Sequence, residues 1–188
     1  MYDFSIKVGR KEVNANVFLL KKCSSLDYLL ESIAMLEKTL NTTLVIVRKE
    51  LAPFKRFLQI ACTNALTSFA EKKGIAKKLS IEILLNMAGI RQIRDAIKIL
   101  VPLNEPEALL IVLSEDRNEI LKAVERVKEL AECAEIDGEA PASQALLKKI
   151  IELYSIPEAE IQATYAKDVL EALEKCLISR SAMLYITK

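Results

Sequence analysis

Three segments of the chain have the apolar pattern of β-strands. β-branched and aromatic residues dominate VNANVFLL at residues 13–20 and TTLVIVRK at residues 42–49, as is typical of strands between polar segments. EALLIVLSE at residues 107–115 is the clearest of the three predicted strands. The polar segment at residues 131–141 is predicted to be a connection with one short strand.

Between the strands, apolar residues recur at the three- and four-residue steps of amphipathic helices. Capping residues, proline starts and glycine stops divide these stretches into separate helices. The predicted helices run from Ser24 or Ser25 to Leu40, from Pro53 to Gly74, from Ser80 to Met87 with Gly89 as the stop, over residues 91–100, from Ser114 or Asp116 to Leu130, from Ala142 to Tyr154, and from Pro157 to about Ser179.

This order of elements predicts the fold class. Three helices in a row separate the second clear strand from the third, so a strict alternation of strand and helix is excluded. We therefore predict an α+β fold in which a small mixed β-sheet is packed with several helices and a long C-terminal helix. The length of 188 residues suits a single domain over residues 1–188.

Charge is unevenly distributed, although the whole chain carries only +1. Between Lys72 and Lys98 there are seven basic and two acidic side chains, a local charge of +5, whereas acidic residues dominate from Asn104 to Glu174. The basic centre favours an anionic ligand. The alternative is an ordinary solvated surface of lysines, and charge alone does not decide between them.

The four cysteines and the termini bear on cellular location. Cys23, Cys62, Cys133 and Cys176 are widely spaced, with no CxxC pair, which favours free buried thiols in a reducing compartment over disulfides or a metal site. The N-terminus is too polar for a signal peptide, and no apolar run reaches the length of a membrane span. We expect a cytoplasmic protein, or a nuclear one in a eukaryote, with no membrane partner.

The residues of common active sites are missing from the sequence. The chain has no histidine and only four glycines, so histidine-based nucleophile systems and glycine-rich phosphate or dinucleotide loops are excluded. Glu115 and Asp116 resemble the acidic start of a helix rather than a catalytic pair. We predict a binding protein that is not an enzyme and that uses no cofactor, no metal and no small-molecule substrate.

Two regions are candidates for binding. Lys72, Lys73, Lys77 and Lys78 bracket a short turn between two predicted helices, and Arg91 and Arg94 follow the next break; on one edge they would form a positive rim for phosphates. In the last helix a broad apolar stripe either packs internally or leaves a face for a protein partner. Its members are Ile161, Tyr165, Val169, Leu170, Leu173, Cys176 and Leu177.

The central stretch QIACTNALTSFAEKKGIAKKLSIEILLNMAGIRQIRDAIKIL resembles the TPRKB-like family, the small kinase-binding subunits of the KEOPS tRNA-modification complex. The order of elements agrees over nearly the whole chain. The residues that carry the resemblance are Asn64 and Ala65, Lys77 and Lys78, Ser80, Glu82, Ile83 and Leu84, and Gly89, Arg91, Gln92, Ile93, Ala96 and Ile97.

The resemblance implies a non-catalytic subunit in the synthesis of N6-threonylcarbamoyladenosine. It implies binding to and stimulation of the complex's atypical kinase/ATPase, and recruitment of tRNA through its single-stranded 3′ CCA end. The alternative is a purely protein-binding adaptor or a homodimeric structural module without nucleic-acid binding.

A single-stranded RNA end needs phosphate contacts and apolar or aromatic surfaces for its bases. With Ile75 as a further apolar candidate, the predicted tRNA-binding residues are Lys73, Lys77, Lys78, Ser80, Ile81, Glu82, Leu85, Arg91, Gln92 and Arg94. The predicted kinase-binding residues are Val169, Leu173, Cys176 and Leu177.

Overall fold

The fold is taken from a computed structural model that describes residues 2–137 and 142–186. Its elements in chain order are β1 (Tyr2–Val8), β2 (Lys11–Cys23), α1 (Leu26–Leu40), β3 (Thr43–Val47), a short 3-10 turn (Lys49–Leu51), α2 (Lys55–Ala70), α3 (Leu79–Ala88), α4 (Ile93–Leu100), β4 (Ala108–Ser114), α5 (Arg117–Ala131), β5 (Cys133–Asp137), α6 (Gln144–Tyr154), α7 (Glu158–Ala163) and α8 (Val169–Met183).

The chain forms two compact units, each built from two pieces. The first unit comprises Met1–Lys49 and Val101–Glu139, and the second comprises Glu50–Leu100 and Ala140–Lys188. The sheet lies in the first unit, whereas α2, α3, α4, α6, α7 and α8 lie in the second. Among the described residues, no helix is both long and apolar enough to cross a membrane.

The sheet of the first unit has the strand order β1-β2-β4-β3, and β5 pairs with the C-terminal part of β2. The segments β2–α1–β3 and β4–α5–β5 are two interleaved β-α-β units, a ferredoxin-like arrangement. The α+β class is confirmed, but the described pairings are all antiparallel rather than mixed. The reason is that β4 lies between β2 and β3 and runs opposite to both.

The helices α1 and α5 cover one face of this sheet. Leu29 and Leu36 of α1 and Ile120 and Val127 of α5 are buried in the same core as the strand residues Leu20, Leu44 and Leu110. All seven residues of β4 are buried, which explains why its sequence is an almost unbroken apolar run. The predicted short strand is β5; the rest of that predicted connection, residues 138–141, lies outside the described residues.

A disulfide corrects the prediction of four free thiols. Cys23 at the end of β2 and Cys133 at the start of β5 are register partners, and their sulfurs are bonded at 2.04 Å. Cys62 and Cys176 are free and buried, as predicted. The prediction was wrong for the first pair because spacing along the chain does not show which strand lies beside β2.

The closing helical region of the second unit is two helices rather than the one predicted from Pro157. The helix α7 ends at Ala163, and α8 begins after Asp168, whose side chain accepts a hydrogen bond from Glu171 N at 2.8 Å. Leu173 and Leu177 of α8 are buried in this unit together with Phe57 of α2. The break between α7 and α8 therefore gives two helices with separate surfaces, where the sequence indicated one continuous helix.

Gly89 ends α3 and allows close packing against α8. Its φ is +67°, and its N–H donates to Leu85 O at 2.9 Å. A Cβ at this position would lie 3.1 Å from the backbone carbonyl carbon and oxygen of Arg180. Both the left-handed conformation and the close approach favour glycine here, and Arg91 follows two residues after this helix end.

Candidate nucleic-acid interface

The turn between α2 and α3 carries the basic residues singled out in the sequence. The helix α2 ends at Ala70, and Lys72 adopts a left-handed conformation with φ +58°. Lys73 N donates to Ser68 O at 2.9 Å, which closes the end of the helix. Lys73, Lys77 and Lys78 are exposed. The turn therefore projects the ammonium groups of Lys77 and Lys78 into solvent just before α3, while that of Lys73 pairs with Glu71 Oε2 at 2.8 Å.

A buried carboxylate anchors this turn. Glu82 is fully buried in α3 and accepts a hydrogen bond from the backbone N–H of Ala76 at 2.7 Å. It also accepts hydrogen bonds from the Tyr185 hydroxyl at 2.8 Å and from Ser68 Oγ at 3.3 Å. Since these three donors come from the turn, from the end of α8 and from α2, one side chain holds three segments together.

Tyr185 completes this network. Its hydroxyl donates to Glu82 and accepts from Asn86 Nδ2 at 2.6 Å. Burial, together with the adjacent Glu82 carboxylate, raises the pKa of the Tyr185 phenol. The phenol is therefore protonated at neutral pH, and its hydroxyl can donate to Glu82. The sequence indicated only an apolar tail at this position, because nothing local links Tyr185 to a residue 103 positions earlier.

A cavity of about 530 Å³ opens beside the network. Two of the predicted site residues, Lys73 and Arg91, line it, and Ile75 and Tyr185 supply apolar and aromatic surface. Asn64, Thr67 and Ser68 add side chains that can donate or accept hydrogen bonds, and Glu71 adds a carboxylate that accepts from Lys73. The cavity thus combines positive charge, an aromatic ring and polar groups within the second unit.

The other predicted tRNA-binding residues differ in exposure. Lys77, Lys78, Gln92 and Arg94 are exposed and Ile81 is partly buried, whereas Ser80, Glu82 and Leu85 are buried. Glu82 and Leu85 are fully buried, so in this structure they support the site from inside instead of facing solvent. Within the described residues, Lys77, Lys78 and Arg94 make no ion pair, and their charges are available to a ligand.

The predicted kinase-binding residues lie mostly in the core of the second unit. Leu173, Cys176 and Leu177 are buried, while Val169, at the start of α8, is half exposed. Tyr165 is 95% exposed, although the sequence placed it on the same apolar stripe; the break between α7 and α8 turns it outward. Lys175 Nζ lies 5.8 Å from the centre of its ring. The exposed part of this region is therefore the α7–α8 connection.

Arg180 holds α7 and α8 together beneath this connection. Its guanidinium donates to Glu160 Oε2 at 2.8 Å and to Tyr154 O at 2.6 Å. The hydrogen bond from Arg180 lowers the pKa of the Glu160 carboxyl, which favours the charged form of the pair. The connection that carries Tyr165 is thus bordered by a fixed ion pair.

The described residues contain no group of cysteine, aspartate and glutamate side chains that could hold a metal ion. No curated protein sequence matches the chain. The family model of the kinase binding protein CGI-121 matches residues 24–184. The chain therefore belongs to the CGI-121 family of kinase-binding proteins, which is the family of the TPRKB-like subunits.

Proposed function

We propose that the protein is a non-catalytic accessory subunit of the KEOPS complex. It binds and stimulates the atypical kinase/ATPase of that complex, and it recruits tRNA through the single-stranded 3′ CCA end. The observation that carries the tRNA part is the cavity that joins Lys73 and Arg91 to Ile75 and Tyr185. The proposed location is the cytoplasm, or the nucleus in a eukaryote.

The chemistry of the cavity suits a single-stranded ribonucleotide end. Lys73 and Arg91 are placed to neutralise backbone phosphates. The ring of Tyr185 and the side chain of Ile75 offer a surface on which an unpaired base can pack. The amide of Asn64 and the hydroxyl of Thr67 can pair with base edges or with a 2′-hydroxyl. Lys77 and Lys78 extend the positive charge along the turn that Glu82 anchors.

Reversing the charge of the turn is expected to weaken tRNA binding. In the Lys77→Glu/Lys78→Glu variant, affinity should fall at least about tenfold, and the salt slope of log K should become shallower by about 1.4 if both lysines neutralise single-strand phosphates. Titration of the full chain with tRNA at several salt concentrations measures both quantities. tRNA without its CCA end should bind weakly to the unmodified protein and lose little further affinity on substitution.

A matched control tests whether net charge alone explains the effect. Lys38 and Lys128 are exposed in the first unit, so Lys38→Glu/Lys128→Glu changes the net charge equally. We expect it to bind tRNA like the unmodified protein. Equal losses in both double variants, or an unchanged salt slope in the turn variant, would contradict the proposed tRNA site.

The kinase-binding surface is proposed to include the α7–α8 connection, where Tyr165 and Val169 are exposed. Tyrosine is enriched among the residues that dominate binding at protein interfaces. The Tyr165→Asp/Val169→Asp variant should bind the kinase about 30-fold or more weakly, which corresponds to about 2 kcal/mol. Calorimetric titration against the kinase subunit measures this change.

Leu103 provides the control for this second experiment, because it is an exposed apolar residue of the first unit. Leu103→Asp should leave kinase affinity unchanged. If the double variant keeps its affinity, the kinase contacts a different surface of the protein.

A further inference from the structure

The outer face of α1 and α5 in the first unit exposes apolar side chains. Met35 is 72% exposed, and Tyr28 and Leu121 are also largely exposed. A groove of about 390 Å³ runs between the two helices, with Leu36, Leu40 and Leu130 in its lining. The sheet core lies beneath the opposite sides of these helices. The groove belongs to the first unit, whereas the cavity and the α7–α8 connection belong to the second.

Four charged residues of α5 line this groove, and their charges alternate in sign along the helix. Lys122, Glu125, Arg126 and Glu129 all line it, and the buried residues Ile120, Ala123, Val127 and Ala131 face the core. Read from the N-terminus the signs are plus, minus, plus, minus; read from the C-terminus they are reversed. An antiparallel copy of the same helix therefore presents the opposite sign at each position.

We propose that this face is a self-association surface that packs against the same face of a second copy of the chain. The two-fold axis crosses α5 between Glu125 and Arg126. Lys122 then lies opposite Glu129 of the second copy, and Glu125 lies opposite Arg126, and each pair occurs twice. Such an isologous contact closes on itself as a dimer. The exposed apolar side chains of α1 beside the groove are covered in the same contact.

Ion pairs within α5 compete with these contacts only weakly. Lys122 Nζ lies 2.8 Å from Glu119 Oε1, and Arg126 Nη1 lies 2.8 Å from Glu129 Oε2. These pairs are exposed, and exposed pairs contribute little to stability. Glu125 has no ion-pair partner among the described residues. In the proposed dimer, Arg126 of the second copy would form an ion pair with this carboxylate. That pair would lie next to the pairs between Lys122 and Glu129.

Self-complementarity is what selects a second copy over another partner. A different protein would need only a surface of opposite charge, with no relation between the two halves of α5. Here the four charges are symmetric about the midpoint between Glu125 and Arg126, as an isologous interface requires. This proposal does not depend on tRNA or kinase binding, since both proposed sites lie in the second unit.

Charge-swap variants of the full chain test the dimer by sedimentation equilibrium. Glu125→Arg and Arg126→Glu should each raise the dimer Kd about tenfold or more, because like charges then face each other. The double variant Glu125→Arg/Arg126→Glu should return to within about threefold of the unmodified protein. An equimolar mixture of the two single variants should form a heterodimer, because every facing pair is again opposite in sign.

Lys128→Glu is the matched control, because Lys128 is exposed on α5 but does not line the groove. It should leave the dimer Kd unchanged. The proposal is overturned if the unmodified chain stays monomeric up to about 1 mM, or if the double variant is as impaired as the single variants. It is also overturned if the mixture shows no heterodimer, or if Lys128→Glu weakens the dimer equally. Circular dichroism confirms that each variant is folded.

Discussion

Glu82→Leu is expected to lower the free energy of unfolding by about 3 kcal/mol, because it removes a buried carboxylate that is the acceptor for three hydrogen-bond donors. The backbone N–H of Ala76 and the hydroxyls of Tyr185 and Ser68 lose their acceptor together. Denaturant unfolding of the full chain measures this loss. The change is larger than that expected for any exposed residue of the same turn.

The Glu82→Leu variant also tests whether Glu82 acts on RNA binding by supporting the turn or by contacting RNA directly. Removing the negative charge that Glu82 places against the basic turn would strengthen tRNA binding if electrostatics alone mattered. We expect the opposite, a weaker complex, because the turn that carries Lys73 and Ile75 loses its anchor. All the basic side chains remain present, so a lower affinity would report the geometry of the cavity.

Tyr185→Phe is a milder change to the same hydrogen-bond network and serves as the control for Glu82→Leu. It removes one hydroxyl from the network and keeps the ring, so the loss of stability should be about 1 kcal/mol. In the Glu82→Leu/Tyr185→Phe double variant the second change should add less than it does alone, because the two groups interact directly. Fully additive losses, or a Glu82→Leu protein as stable as the original, would contradict the assigned network.

Reduction of the Cys23–Cys133 disulfide is expected to destabilise the protein by about 4 kcal/mol, because the bond closes a long loop in the unfolded chain. The two cysteines are 110 positions apart. Both are buried, so a strong reductant should act mainly when the first unit opens. Thermal unfolding with and without reductant should show a drop in Tm of about 10 °C.

Cys23→Ala/Cys133→Ala isolates the contribution of the bond. This variant should unfold at a lower temperature than the oxidised protein, and added reductant should not change its Tm further. Cys62 and Cys176 are unpaired, so they should not contribute to the reductant effect. A reductant-dependent shift in the double variant, or none in the original protein, would count against the disulfide as a stabilising link.

Local pattern was sufficient to predict much of the fold. The apolar runs around Val17, Ile46 and Ile111 are strands, and the glycine stop at Gly89 ends a helix as predicted. The first strand was missed although Tyr2, Phe4, Ile6 and Val8 alternate with polar residues, which is the period of a strand. This alternation is sufficient to predict the strand from the sequence.

Long-range contacts explain the remaining differences. Glu82 is predicted from its polar side chain to hydrogen-bond RNA, whereas in the structure its carboxylate is buried and accepts hydrogen bonds from Ala76 N, Ser68 and the distant Tyr185. Tyr185 enters the cavity and Cys133 pairs with Cys23 for reasons that only the folded chain shows. Tyr165 is predicted to share one apolar stripe with the residues of α8 because helical periodicity is continued across the break before Asp168, which caps α8.

The division of each unit into two pieces has a consequence for synthesis on the ribosome. The first unit has all its strands once β5 has emerged, whereas the second still lacks α6, α7 and α8. Until then Ile83, Leu85 and Met87 of α3 have not met the closing helix that completes their core, and such apolar surface is prone to aggregate or to engage chaperones. The cavity that Tyr185 lines is incomplete until this residue is made, so the proposed RNA site would form only late in synthesis.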